Sequence, residues 1–230
     1  MELSPHHAAV LKTAVQTGDL KVVRKILRHT VSKKVEEIVV REAIQFQQWG
    51  IIDFLHQRNN THIYLMEYAL EMAVRAQNED AVKKILPICN PLHNNSEALY
   101  CAVHLNYPIL IKMLLPHSDA NAGNCRALCA AVRGDNHELV NFLIPHCDPT
   151  LGESAALKEA VMYNNQELFD LLCPVSNLKD VWEYIRTDNW FDKDQRRMVT
   201  QRLNQERQRK RLQKAAATVN VSLPRRSSKI

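Results

Sequence analysis

The chain has little glycine and no long apolar run. Glycine occurs 5 times in 230 residues, about a third of the usual frequency of roughly 7%. Because tight hairpins and phosphate-binding loops depend on glycine, this shortage argues against a β-rich fold and against a nucleotide-binding enzyme. No segment approaches the roughly 18 apolar residues of a transmembrane helix, and the N-terminus lacks the apolar part of a secretory leader. We therefore expect a soluble, cytoplasmic protein.

The cysteines form no Cys-x-x-Cys pair, and no catalytic motif is visible. There are six: Cys89, Cys101, Cys125, Cys129, Cys147 and Cys173. Their spacing predicts reduced thiols, most of them small buried side chains. A zinc site formed by Cys125, Cys129, Cys147 and His137 is the alternative, and it requires these side chains to lie together. We expect no enzymatic activity, no metal, no cofactor and no small-molecule substrate.

The positive charge is concentrated at one end of the chain. The formal net charge is +5, yet residues 193–230 contain 12 Lys and Arg against 2 Asp and Glu. The preceding residues, with 18 basic and 23 acidic side chains, are slightly acidic. The sequence therefore combines an acidic body with a strongly basic tail, and the two parts predict different partners.

A repeat of about 29 residues runs through residues 1–178. Small and branched residues pair at intervals of 29, 30, 29, 29 and 29 residues, in Ala14-Val15, Ala43-Ile44, Ala73-Val74, Ala102-Val103, Ala131-Val132 and Ala160-Val161. With each alanine as position 0, apolar residues recur at −3, +8, +9 and +12. These positions form two helical stripes, each too short for a stable isolated helix. We therefore predict an all-α solenoid of about six helix–turn–helix units.

Prolines and polar residues mark the helix ends. Position +14 is proline in the last four copies, at Pro87, Pro116, Pro145 and Pro174. Proline lacks the N–H that would continue a helix, so it ends the second helix. The predicted turns hold residues that favour turns and caps, at Gly18-Asp19, Gln77-Asn78, Asp135-Asn136 and Asn164-Asn165. Ser96 and Ser154 are expected to cap first helices.

These segments resemble the ankyrin-repeat family. The stretches that carry the resemblance are AVQTGDLKVVRKIL, AVRGDNHELVNFLIPHCDP and AVMYNNQELFDLLCPVSN. It covers residues 5–178, although the period is shorter than the usual 33 or so residues and the Thr-Pro-Leu-His opening is missing. Such short repeats are similar to those of bacterial effectors and large viruses. The resemblance implies a non-enzymatic adaptor or scaffold for protein–protein interaction, as a virulence effector acting in the host cytoplasm.

The resemblance also implies which side chains meet a partner. In ankyrin repeats positions +2 and +3 face a concave groove and vary with the partner. Carried over, they are Gln16, Thr17, Gln45, Phe46, Arg75, Ala76, His104, Leu105, Arg133, Gly134, Met162 and Tyr163. Four of these are apolar or aromatic at positions that the repeat does not need to bury, as expected of interface anchors. The alternative is that an irregular repeat packs them inward.

The repeat pattern ends after Pro174. Residues 179–192 are rich in aromatic residues, and we expect them to cap the stack, with Trp182, Tyr184 and Trp190 packed on the sixth repeat. The segment from Asp192 to Gln195 resembles a capping box and predicts a helix over 193–217. Residues 218–230 are predicted to be disordered.

The basic tail, residues 193–230, supports an alternative function. Clustered Lys and Arg attract nucleic acid or anionic membranes, and the stretch from Arg207 to Arg211 resembles a nuclear-localisation patch. Ser228 follows two arginines, as in sites of basophilic kinases. A merely solubilising tail explains the same residues. No aromatic residue follows Phe191, which weakens a role in stacking nucleic-acid bases.

Overall fold

The computed structural model describes residues 4–28, 32–58, 64–188 and 190–222, with the side chains of the last helix up to residue 214. Within these ranges the regular elements are α-helices and short 3-10 turns, without a strand. The fold is therefore the predicted all-α helical-repeat solenoid. The predicted kinase site at Ser228 lies outside the described residues.

Each of the six copies contains two helices. The first helices are α1 (Pro5–Thr17), α3 (Lys33–Gln45), α5 (Leu65–Arg75), α7 (His93–His104), α9 (Ala122–Arg133) and α11 (Leu151–Met162). The second helices are α2 (Leu20–Leu27), α4 (Trp49–Gln57), α6 (Glu79–Ile85), α8 (Pro108–Leu114), α10 (His137–Leu143) and α12 (Gln166–Leu172). Two further helices follow, α13 (Leu178–Thr187) and α14 (Lys193–Ser222).

The chain divides into two compact units, Met1–Ala131 and Val132–Ile230. In the first unit α1, α3, α5 and α7 pack side by side, and each second helix packs on its own first helix. In the second unit α11 packs on α12 and α13. The aliphatic residues at position −3 and the branched residues at +1 are buried in every copy, which confirms the phase of the repeat. No described helix is long and apolar enough to cross a membrane.

The turn between the two helices has the same backbone in all six copies. Position +4 adopts a left-handed conformation, at Gly18, Gln47, Gln77, Asn106, Asp135 and Asn164. In five of the copies the N–H of position +5 donates to the carbonyl oxygen of the position 0 alanine, for example from Asp19 to Ala14 at 2.8 Å and from Asn78 to Ala73 at 3.0 Å. This pattern is a Schellman motif, which satisfies the last carbonyls of the first helix. The repeated alanine thus marks the end of each first helix.

The second helices end as the prolines predict. In the last four copies the α-helix gives way to a 3-10 turn with proline in its first two residues: Leu86–Ile88, Leu115–His117, Ile144–His146 and Cys173–Val175. An Asn or Asp then follows at position +17 and accepts the N–H two residues later, at Asn90, Asp119, Asp148 and Asn177. The loops between repeats therefore have one recurrent turn, which the repeat alignment had not included.

Ser96 and Ser154 do not cap their own helices, contrary to expectation. Each ends a run of three residues with φ between 50° and 62° at the start of its helix. Each buried hydroxyl accepts a backbone N–H from the next loop, from Asp119 at 2.9 Å and from Asn177 at 2.8 Å. Each serine therefore joins the start of its first helix to the loop that follows the second helix of the same copy, a role that depends on tertiary packing.

The segment 179–192 forms most of α13 and a short loop, and the expected packing of Trp190 is wrong. Val181, Ile185 and Phe191 are buried, whereas Trp190 is 91% exposed. The aliphatic residues of α13 pack on α11, where we expected the tryptophans to pack. Helix α14 packs on α13 and α11 and ends at Ser222, five residues beyond the predicted end at 217.

Candidate protein-interaction surface

Positions +2 and +3 lie where each first helix ends. Of the twelve residues that the resemblance implied, eleven are exposed and Gln16 is half-buried. The large apolar ones have exposed fractions of 41% at Phe46, 37% at Leu105, 50% at Met162 and 57% at Tyr163. They do not pack inward, so the repeat itself does not account for their apolar character. Phe46 and Leu105 lie in the first unit, and Met162 and Tyr163 in the second.

Two polar side chains at position +2 are tied to the following repeat. Gln16 donates from Nε2 to Glu42 Oε2 at 3.0 Å. Arg133 donates in the same way to the Glu159 carboxylate. In both pairs the acceptor stands at position −1 of the next copy, so the pairing follows the repeat. These contacts fix the polar side chains before any partner arrives, which lowers the entropy that binding must remove.

Arg75 and Arg126 hold a network of carboxylates in the first unit. Arg75 donates from Nε to Glu71 at 2.8 Å, and its Nη2 lies 3.8 Å from Glu97. Arg126 donates from Nη1 to Glu97 at 2.6 Å and stacks on the ring of Tyr100, 3.6 Å from its centroid. The hydrogen bond to Glu71 raises the pKa of Arg75. Both arginines are therefore neutralised within the chain.

The described residues contain one group with ligand atoms close enough for a metal, formed by Glu71, Glu97 and Cys101. Burial raises the pKa of the Cys101 thiol to about 12, so this sulfur is a protonated and poor ligand near neutral pH. The two carboxylates already accept hydrogen bonds from arginines. The group is thus explained as an ion-pair network.

The four side chains of the alternative zinc site do not form such a group. Cys125 donates toward the Asn121 side chain at 3.7 Å, and Cys147 toward the carbonyl oxygen of Leu143 at 3.3 Å. His137 lies 3.3 Å from the Glu167 carboxylate. Cys125 and Cys147 therefore have local partners, and His137 lies beside a carboxylate.

A hollow of about 350 Å³ opens in the second unit beside the end of α11. Its lining, which we call the aromatic hollow, consists of Met162, Tyr184, Asp188, Trp190, Phe191 and Gln195. Met162 is one of the residues that the resemblance implied. The other five were not assigned to a binding site from the sequence. The aromatic ones were predicted to form a buried cap, and Gln195 was predicted only as part of a capping box.

The last helix presents an exposed basic segment, residues 207–214. Every side chain of this segment is exposed. Arg207, Lys210, Arg211 and Lys214 are three, four and seven residues apart and share one face of the helix. The same segment has a single apolar side chain, Leu212, which is also exposed.

The comparison with protein families agrees with this architecture. A family model of ankyrin repeats, in three copies, matches residues 70–153, from within α5 to the first residues of α11. These residues are therefore similar to three ankyrin repeats. Ankyrin repeats generally mediate protein–protein interactions and are typically non-enzymatic. No curated protein and no solved structure matches the chain.

Proposed function

We propose that this chain is a non-enzymatic adaptor that binds a protein partner through positions +2 and +3 of its repeats. The observation that carries the proposal is the exposure of four large apolar side chains at these positions: Phe46, Leu105, Met162 and Tyr163. Each Å² of exposed apolar surface that a partner removes from water contributes roughly 25 cal/mol to the free energy of binding. Apolar groups that recur at two adjacent repeat positions are therefore anchors of an interface.

The polar residues at position +2 support the same role. Gln16, Arg75 and Arg133 are held by carboxylates of their own or the next repeat. A partner therefore meets a surface whose polar part is already ordered, and apolar anchors supply the binding energy.

A narrower proposal concerns the cellular location in which the adaptor acts. The similarity of its short repeats to those of bacterial effectors and large viruses supports action in a host cytoplasm. Capture of a partner from a eukaryotic lysate, with none from a bacterial lysate, is the expected result. The reverse result would contradict the host setting and leave the adaptor function in place.

The test of the adaptor function is capture of an isolated partner by the immobilised chain. We expect Phe46→Ala combined with Tyr163→Ala to abolish capture, because it removes one anchor from each unit. The matched control is Ile38→Ala combined with Tyr64→Ala, which removes exposed apolar side chains of similar size outside positions +2 and +3. Undiminished capture by the first variant would place the binding site elsewhere.

A second candidate function is binding of nucleic acid or anionic membrane by residues 207–214. The observation that favours it is the exposed helical face formed by Arg207, Lys210, Arg211 and Lys214. Such interfaces are polar and strongly positive, unlike typical protein interfaces. Its test is whether a chain that ends at residue 206 still binds the same partner.

A further inference from the structure

The loop between α13 and α14 exposes a tryptophan that internal packing does not explain. Trp190 projects almost its whole side chain into solvent, while the adjacent Phe191 is buried. An exposed indole is unfavourable in water, and tryptophan is among the residues most enriched at interface hot spots. A partner can therefore contact this side chain without breaking its packing inside the protein.

The backbone that carries Trp190 is fixed on both sides. Its N–H donates to Asp188 Oδ1 at 3.0 Å. Arg196 donates to the carbonyl oxygens of Asp188, at 2.8 Å, and of Phe191, at 3.1 Å. The described residues on either side, Asp188 and Phe191, are thus held before binding, and little conformational entropy is lost at these residues when a ligand contacts the indole.

Gln195 connects this loop to the last repeat. Its amide nitrogen donates to the carbonyl oxygens of Val161 and Met162, both at 3.0 Å. Its amide oxygen accepts the N–H of Asp192 at 2.9 Å, while Asp192 Oδ1 accepts the N–H of Gln195 at 2.8 Å. The capping box predicted from the sequence therefore also sets the position of the aromatic hollow beside Met162.

The aromatic hollow combines aromatic rings with a carboxylate. The rings of Tyr184 and Phe191 meet edge to face, with centroids 5.6 Å apart. The ammonium group of Lys158 lies 4.7 Å from the Tyr184 centroid, so this cluster already accommodates a cation of the chain itself. Among the described residues, no Lys or Arg forms an ion pair with the carboxylate of Asp188.

We propose that the aromatic hollow binds an arginine or lysine side chain of the protein partner, an inference that rests on the proposed function. The cation lies over the indole of Trp190, where the ring quadrupole attracts it. The methylene groups of the same side chain pack on Met162, and the charged head approaches Asp188.

The other occupants fit less well. A purely apolar side chain would desolvate the Asp188 carboxylate without adding a cation to the N–H of Trp190 that it already accepts. An acidic side chain would meet that carboxylate with a like charge. An amphipathic cation matches the rings, the methionine and the carboxylate together.

The test uses the full ¹⁵N-labelled chain and three blocked peptides of sequence Ala-Leu-X-Leu-Ala, with X as arginine, citrulline or norleucine. Citrulline has the shape of arginine without its charge, and norleucine has only the aliphatic stem. The indole N–H resonance of Trp190 is identified by its loss in Trp190→Phe. We expect the arginine peptide to shift this resonance and the citrulline peptide to bind about threefold more weakly or worse. Asp188→Asn should weaken the arginine peptide by a similar factor.

Equal binding of the norleucine and arginine peptides would overturn the assignment of a cation. Absence of any shift at Trp190 with all three peptides would overturn the site. Tyr64→Ala is the matched control, because it removes an exposed ring of the first unit outside positions +2 and +3 and should leave the Trp190 shift unchanged. If the Phe46→Ala and Tyr163→Ala variant retains its partner, the function proposed for positions +2 and +3 fails while the peptide result stands independently.

Discussion

In the second repeat the proline position +14 is occupied by Gln57, and Arg58 directly follows the end of the second helix, α4. Arg58 donates from Nη2 to the carbonyl oxygen of Leu27, at the end of α2, at 2.6 Å. Its Nη1 donates to Glu36 at 3.1 Å, and both side chains of this ion pair are largely buried. A single guanidinium thereby closes one helix end and neutralises a buried carboxylate of α3.

At the residue scale, we expect Arg58→Met to destabilise the chain by about 3 kcal/mol. The substitution keeps most of the apolar volume but leaves the Glu36 carboxylate buried without its cation. The measurement is the free energy of unfolding from a urea titration. Arg41→Met is the control, because Arg41 is exposed on the same helix as Glu36, and it should change stability by less than about 0.5 kcal/mol. Equal effects of the two substitutions would contradict the structural role of this ion pair.

The Arg58–Glu36 pair was not predictable from the repeat. The two residues are 22 positions apart, and no other copy combines an arginine at position +15 with a glutamate at position −7. Burial of a charged residue depends on which helices surround it. That information is absent from a pattern of apolar spacings.

At the scale of the element, the turn between paired helices is the most regular feature of the chain. The side chain at position +5 accepts an N–H of the second helix at Asp19, Asn78, Asn136 and Asn165. In the second and fourth copies, Gln48 and Tyr107 stand there and form no such cap. The same backbone turn therefore forms with and without the side-chain cap, since the Schellman bonds recur in both kinds of copy.

We expect Asn78→Ala to lower the free energy of unfolding by about 1 kcal/mol, because the N–H of Ala81 loses its acceptor at the start of α6. Equilibrium unfolding followed by circular dichroism measures the change. Lys83→Ala, an exposed substitution in the same helix, should have an effect of less than about 0.5 kcal/mol. If Asn78→Ala unfolds like the parent chain, the cap does not contribute and the backbone bonds alone maintain the turn.

The predicted helices and turns agree with the structure because both depend on local chemistry. Proline ends a helix wherever it stands, and Asn or Asp caps the next one through its own side chain. The left-handed residues at Asn94–Ser96 and Gly152–Ser154 are different. Two of these six positions are asparagine and one is glycine, so the residue types alone did not indicate three consecutive left-handed residues.

At the scale of the whole molecule, the boundary between body and tail falls inside α14. Met198, Val199 and Leu203 of this helix are buried in the second unit, whereas every side chain from Arg207 to Lys214 is exposed. The charge pattern of the sequence placed that boundary at residue 193. The structure moves it to about residue 206, because the first turns of the basic helix also cover α11 and α13.

We expect a chain ending at residue 206 to retain the stability of the full chain and a chain ending at residue 192 to lose it. The shorter chain lacks three buried apolar side chains, each contributing ~1.5–3 kcal/mol, so its second unit should be less stable by at least about 4 kcal/mol. Thermal unfolding of the three chains is the measurement. Equal stability of the 192 and 206 chains would show that α14 does not stabilise the unit.

The same chains decide the second candidate function. If residues 207–214 bind nucleic acid or anionic membrane, affinity for duplex DNA or phosphatidylserine vesicles should fall steeply between about 50 and 200 mM salt and be lost in the 206 chain. If the partner of the adaptor function still binds the 206 chain with unchanged affinity, the basic segment has no part in that interaction.

The sequence by itself determined the helical repeat, its phase, the helix ends and the family resemblance, because each depends on residues within one repeat or on a fixed spacing between repeats. Tertiary structure decided which polar side chains pair across repeats and which aromatic residues are exposed. Trp190 is the clearest case: composition indicated a buried cap, but aliphatic side chains of α13 filled the available surface and left the indole in solvent. A spacing pattern identifies residues capable of burial, and only the packed neighbours determine which of them have room.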